Sequence, residues 1–230
     1  MKADVNSNAT KGDMFMTRGE KVCTFIEQYC LIPEGAQVGQ PIKLMKFQKQ
    51  FILDVYDNPH GTSRAYLSVA RKNGKSALIA AVALAHLVGP EAKQNSQIIF
   101  GARSRDQASL VFKLAEKMIR LSPELSKIVR IVPSQKMLIG LICNVEYKAI
   151  SAESGTAHGL SPSLAILDEI GQVRGPHDAF IEAIETAQSA KVQAAAKIKK
   201  PLNEFLTIIE RPNRFYIMDF VSLSSPACAA

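Results

Sequence analysis

Apolar positions along the chain change their spacing several times, and each change predicts an element. Residues 1–17 are polar and without period, which predicts a loose leader. From Arg18 to Cys30 the apolar side chains fall at Val22, Phe25, Ile26 and Tyr29, the spacing of one helical face. Pro33, Gly35, Gly39 and Pro41 then form a turn-rich connector. Phe47, Phe51, Ile52 and Val55 mark a second helix that ends near Asn58-Pro59. Ala65 to Ala70 is a short apolar run with the character of a buried strand, followed by a loop from Arg71 to Gly74 and a helix from Lys75 to Val88 closed by Gly89-Pro90. Gln97 to Ala102 predicts the next strand. Ser104 is placed to cap a helix reaching Leu121, with Ala108, Val111, Phe112, Ala115, Met118 and Ile119 turned inward. Met137 to Cys143 and Val145 to Ser151 predict two strands joined by a tight turn at Asn144. Leu164 to Leu167 predicts a further core strand, Asp178 to Ala190 a helix, and Phe215 to Val221 a last strand. Strands that are apolar throughout, alternating with helices, predict an α/β fold: a mostly parallel central sheet with helices on both faces.

Composition narrows this picture. A chain of 230 residues can bury one sizeable core, and 47% hydrophobic with 21% charged residues is ordinary for a globular protein. The net charge of +7 is compatible with a polyanionic partner such as DNA. Cys23, Cys30, Cys143 and Cys228 form no C-x-x-C pair and no metal-ligand spacing. Cys23 and Cys30 share a helical face, which suits buried thiols in a reducing cytosol. Met1 to Thr10 has no apolar signal core, and the most apolar run, Ala77 to Val88, is too short to span a bilayer. A soluble, cytoplasmic protein without a membrane partner is the expectation.

Two segments carry chemistry. The first runs Val69-Ala-Arg-Lys-Asn-Gly-Lys-Ser76, between an apolar strand and a helix. A loop that wraps a triphosphate needs backbone N–H groups turned inward, and the helix that follows adds the positive end of its dipole. Gly74 allows close approach, Lys75 reaches the β- and γ-phosphates, and the Ser76 hydroxyl ligates magnesium. The usual pattern has another Gly about five residues before Gly74; Val69 stands there instead. The second segment is Leu164-Ala-Ile-Leu-Asp-Glu169, four apolar residues that deliver two carboxylates to the C-terminal edge of a sheet, where ligands of open α/β sheets bind. Asp168 is the candidate magnesium ligand and Glu169 the candidate base for water. Arg71 is a candidate contact to the γ-phosphate, and Gln48 a candidate contact to an adenine edge. Arg103 and Arg105, after the second strand, are candidate phosphate sensors or residues acting on a neighbouring subunit. His158 has no partner ligand nearby in sequence, so no metal site is assigned to it. Lysines 191, 197, 199 and 200 can meet DNA phosphates or simply solvent.

Taken together, Phe47-Gln48, the loop Ala70 to Ser76, the run Gly101-Ala-Arg-Ser-Arg-Asp-Gln-Ala108, the stretch Gly155 to Ser161 and Leu164 to Glu169 resemble the N-terminal ATPase domain of the large terminase subunit of tailed bacteriophages. The resemblance covers about residues 18–190, and an Arg-containing loop without the first Gly is usual in that family. It implies a P-loop NTPase that binds ATP and Mg2+ through Gln48, Arg71, Lys72, Asn73, Gly74, Lys75 and Ser76, with Ser76 and Asp168 on the metal and Glu169 and Arg71 catalytic. It also implies a motor that drives double-stranded DNA into a prohead as a homo-oligomeric ring, with a terminase small subunit and the portal as partners. The family's Ser/Thr-rich coupling motif has only a loose counterpart here, Val221 to Ser225, and no acidic cluster for nuclease metals follows. The sequence therefore divides into a leader, 1–17, an ATPase domain, 18–190, and a divergent or truncated segment, 191–230. The expectations are an ATPase without nuclease activity or, alternatively, an inactive prophage remnant that folds and binds nucleotide or partner subunits without turnover.

Overall fold

A computed structural model describes residues 16–62, 64–70, 73–102, 104–151, 162–168, 180–184 and 215–219, the last segment through its backbone. In chain order the helices are α1 (Arg18–Tyr29), α2 (Lys46–Tyr56), α3 (Lys75–Leu87), α4 (Arg105–Leu121) and α5 (Pro123–Ile128). The strands are β1 (Ala65–Leu67), β2 (Gln97–Ala102), β3 (Val129–Val132), β4 (Met137–Gly140), β5 (Val145–Ser151), β6 (Leu164–Leu167) and β7 (Phe215–Asp219). Residues 180–184 are helical as well.

The strands form one sheet in the order β1-β7-β6-β2-β5-β4-β3. The pairs from β1 through β5 are parallel, and β4 and β3 extend the sheet antiparallel. The parallel strands therefore end at one common edge, and that edge carries the site described below. β7 lies between β1 and β6, in register Leu67↔Asp219 on one side and Leu167↔Met218 on the other.

Side chains alternate across the sheet. Ile98, Phe100, Tyr147, Leu164 and Ile166 join the large core shared with α1 to α5. Ile99, Ile150, Ala165 and Leu167 face the other way, onto Phe180, Ile181 and Ile184 of the helical stretch 180–184. Both faces are thus covered, as the apolar strands predict. Gly101 permits this second contact, because an added Cβ would come within 2.6 Å of Leu167 and 3.0 Å of the Phe180 ring. Helix α3 is buried at every position from Leu78 to Leu87. It packs against the sheet, α4 and α1, which is why its sequence is apolar all round.

Several predicted boundaries shift. The first strand stops at Leu67 rather than Ala70, and the fourth at Gly140 rather than Cys143, where residues 141–144 form the turn. Asn144 does adopt the left-handed conformation, at φ 49°. The helix beginning at Arg105 is capped by Ser104, whose side chain accepts from the Gln107 N–H, while the Gln107 side chain returns to the Ser104 N–H. The sequence reading assigned no element to α5 and β3. Of the helix predicted over 178–190 only 180–184 is described, and of the segment 191–230 only β7.

Candidate functional site

The loop before α3 is shaped by its own residues. Gly74 is the N-cap of α3 in the left-handed conformation, φ 72°, ψ 16°, where a Cβ would be strained. The Asn73 side chain donates to the Ala70 carbonyl at 3.2 Å, drawing the loop back on itself. Asn73 and Gly74 are exposed, and Lys75 and Ser76 half-buried, on the first turn of a helix whose remaining length is sealed in the core. The helix N-terminus is therefore accessible to a ligand, and its N–H groups and dipole favour an anion.

The second motif arrives at the same place. β6 is buried at every position and ends at Leu167, so Asp168 emerges at the C-terminal edge. Its N–H donates to the Gly101 carbonyl at 3.0 Å, one last ladder bond that fixes its position. Lys75 Nζ lies 3.4 Å from Asp168 Oδ1, joining residues 93 apart in sequence. Their side chains are 25% and 12% exposed, so the charges meet in a partly screened cleft rather than in bulk water.

Gln48, on the first turn of α2, is 5% exposed and reaches the loop from the side, Nε2 donating to the Asn73 carbonyl at 3.3 Å. The structure thus brings together Gln48, Asn73, Gly74, Lys75 and Asp168, with Ser76 one position along α3. Arg71, Lys72, Arg103, His158, Glu169, the lysines 191, 197, 199 and 200, and Val221 to Ser225 lie outside the described residues, as does the Arg105 side chain. The start of α4 follows β2, whose Gly101 pairs with Leu167, so Arg105 belongs to the same edge.

Two neighbours were not singled out from sequence. Met45, exposed, caps α2, and its Cε lies 4.0 Å from where a Cβ on Gly74 would stand. The signal available was the Gln three residues after Met45, the far half of a capping box. Asp219 ends β7 in register with Leu67, next to β6, the strand that Asp168 follows. Nothing in the local pattern announces that adjacency.

A second polar cluster closes the opposite end of α3. The Arg18 guanidinium forms a two-pronged pair with Glu91, Nε to Oε1 at 2.6 Å and Nη2 to Oε2. Its carbon lies 5.4 Å from the centre of the Tyr56 ring. Tyr56 OH and His86 Nε2 are 2.7 Å apart, both residues buried. Burial, reinforced by the positive charges of Arg18 and Lys93, pushes His86 down to about 3. Burial, with Glu91 adding to it, pushes the Tyr56 phenol up. His86 is therefore neutral at pH 7, and its Nε2 and the phenol share one hydrogen bond whose direction follows the imidazole tautomer. Burial also lifts Cys23 to about 11 and Cys30 to about 12, so these thiols stay protonated. Among the described residues no group of His, Cys, Asp or Glu is arranged to hold a metal by itself. No described helix is long and apolar enough to cross a membrane.

Residues 42–198 match the family described as terminase large subunit, ATPase domain. The chain is 67% identical over 175 residues to the terminase large subunit of Enterobacteria phage HK97, covering 76% of this chain and 35% of that protein, so it spans about a third of that relative. The crystal structure of the HK97 bacteriophage large terminase superposes with a TM-score of 0.75 at 57% identity, over 89% of this chain and 38% of that one. The ATPase domain of the Thermus phage P74-26 large terminase has the same fold, with a TM-score of 0.53 at 20% identity over 79% and 67% of the two chains. An accessible helix N-terminus, a lysine and a carboxylate at one sheet edge, and these matches lead to one conclusion: the chain belongs to the terminase large subunit ATPase-domain family.

Proposed function

We propose that this chain is the ATP-hydrolysing motor domain of a DNA-packaging terminase. The observation that carries the reading is the 3.4 Å approach of Lys75 to Asp168 at the open end of α3. It joins the two halves of a triphosphate site, a cation for phosphate and a carboxylate for metal. The donor set fits Mg2+, which takes oxygen ligands and binds beside phosphates through one or two protein groups. Ser76 and Asp168 would hold it, and its chemistry there would be to neutralise charge on the β- and γ-phosphates.

The chain's own residues divide the remaining work. The Asn73 to Ser76 backbone presents N–H groups to phosphate, and Lys75 adds a mobile positive charge. Arg71 and Lys72 extend that positive field along the loop. Gln48, beside the loop, is the proposed contact to the adenine edge. Glu169, next after the metal-binding carboxylate, accepts the proton of the attacking water. The +7 net charge supports double-stranded DNA as the track. A neighbouring copy in a ring would supply an Arg to the γ-phosphate, an effect worth about 10³–10⁵ in rate, so the isolated chain turns over slowly. Terminase small subunit and portal are the partners proposed with that ring, in the cytoplasm of the bacterial host. No nuclease step is proposed for this chain.

The test is Glu169→Gln, which keeps shape and removes the base. Magnesium-dependent binding of ATP should remain, while hydrolysis, followed with labelled ATP, falls by roughly 10²–10⁴. Hydrolysis at the wild-type rate in the variant would contradict the reading.

A further inference from the structure

The Gln48 carboxamide is committed at both ends. Oε1 accepts the Met45 N–H at 3.0 Å, closing the first turn of α2, and Nε2 donates to the Asn73 carbonyl at 3.3 Å. An N–H on one side and a C=O on the other leave only this orientation of the amide. The platform is fixed, because α2 is anchored by buried Ile52, Val55 and Tyr56, and Gln48 itself is 5% exposed. The loop beyond it is not fixed in that way. Asn73 and Gly74 are exposed, and a Cβ on Gly74 would lie 3.4 Å from Gln48 Nε2. Gln48 therefore rests over the left-handed turn that sets where the first N–H groups of α3 point.

We propose that Gln48 is a positioning residue for the phosphate loop, a strut from α2 to the Asn73 carbonyl that preorganises the loop for triphosphate whatever base is attached. The proposal rests on the nucleotide-site reading above and changes what Gln48 contributes to it. A residue that only read the adenine edge would matter to ATP alone. A strut matters equally to ATP, to GTP and to a triphosphate with no base, because all three meet the same turn. The amide retains one N–H and one oxygen lone pair beyond these two bonds, so a base contact can coexist with the strut but does not replace it.

The test uses the full chain and Gln48→Met, a neutral side chain of similar length that can make neither bond. Non-hydrolysable analogues of ATP and GTP, and inorganic tripolyphosphate, each with magnesium, are titrated into both proteins. Urea midpoints report whether the fold is kept, and Gln48→Ala is used in the same way should the Met variant not fold. The expected result is a loss of affinity for tripolyphosphate as large as that for either nucleotide, roughly three- to tenfold for a lost hydrogen bond. Unchanged tripolyphosphate affinity, whether or not ATP binding falls, overturns the strut. Wild-type protein that binds none of the three overturns the nucleotide site itself, and the strut with it.

Discussion

The two ends of α3 carry similar side chains in opposite circumstances. At the C-terminal end Arg18, Tyr56, His86 and Glu91 are bonded to one another, and three of the four are buried. At the N-terminal end Asn73, Gly74, Lys75 and Asp168 are accessible to some degree, and their charges meet at 3.4 Å beside backbone N–H groups. Polar groups that saturate each other inside the protein specify how helices meet, since breaking one bond leaves another group buried and unsatisfied. Polar groups at an accessible helix N-terminus can exchange protein partners for ligand at little cost. Composition alone would not separate the clusters; burial and the identity of the partners do.

This difference makes opposed predictions for the two ends. The largest expected effect on binding outside the loop is at Asp168. Asp168→Ala should weaken magnesium-nucleotide binding by roughly 10- to 100-fold, the worth of a contact to a charged group. Stability should move by less than about 1 kcal/mol, because the Lys75 pair is partly solvated. Glu91→Ala should do the reverse, lowering stability by about 2 kcal/mol as the Arg18 pair is lost while nucleotide affinity stays within about twofold. Urea melts and titrations on both variants decide the matter. A Glu91 variant that loses binding without losing stability would break the comparison.

A third effect is on pH. His86 is held at about 3 in the fold, well below the ordinary value of about 6.5 in the unfolded chain. Between those values the unfolded chain binds a proton that the folded chain refuses, so stability falls as pH falls. The His86 contribution is complete above about pH 6.5 and declines below it, by up to about 1.4 kcal/mol per pH unit. Carboxylates add their own slope, so the measurement is a difference: urea midpoints from pH 7 to 4.5 for wild type and His86→Gln. The variant should show the shallower decline. Parallel curves would mean that His86 is not the buried neutral group described.

Legibility in the sequence followed the range of the forces involved. Ser104 and Gln107 form a capping box within one turn, so the start of α4 could be read, as could the apolar runs of β2 and β6. The apolar run from Ala65 to Ala70 outlasts its strand, since pairing with β7 ends at Leu67. α5 is a six-residue helix held by Ser122 accepting from the Leu125 N–H, and β3 pairs on one side only, so neither leaves a period to detect. The site residues were legible as types, a lysine after a glycine and an acid after an apolar strand. Their meeting depended on β7 entering between β1 and β6, a matter of sheet order that no local pattern records. The Gln48 bond to the Asn73 carbonyl and the Arg18–Glu91 pair span 25 and 73 residues, and were invisible for the same reason.

The most direct measurement is calorimetric titration of a non-hydrolysable ATP analogue, with and without magnesium, into wild type and Lys75→Ala. If the open end of α3 is the nucleotide site, wild type binds in a magnesium-dependent way. The variant, equally stable to urea within about 1 kcal/mol, then loses at least roughly tenfold to 100-fold in affinity. Equal affinity in the two proteins would show that the triphosphate, if it binds, does so somewhere other than the edge where Lys75 meets Asp168.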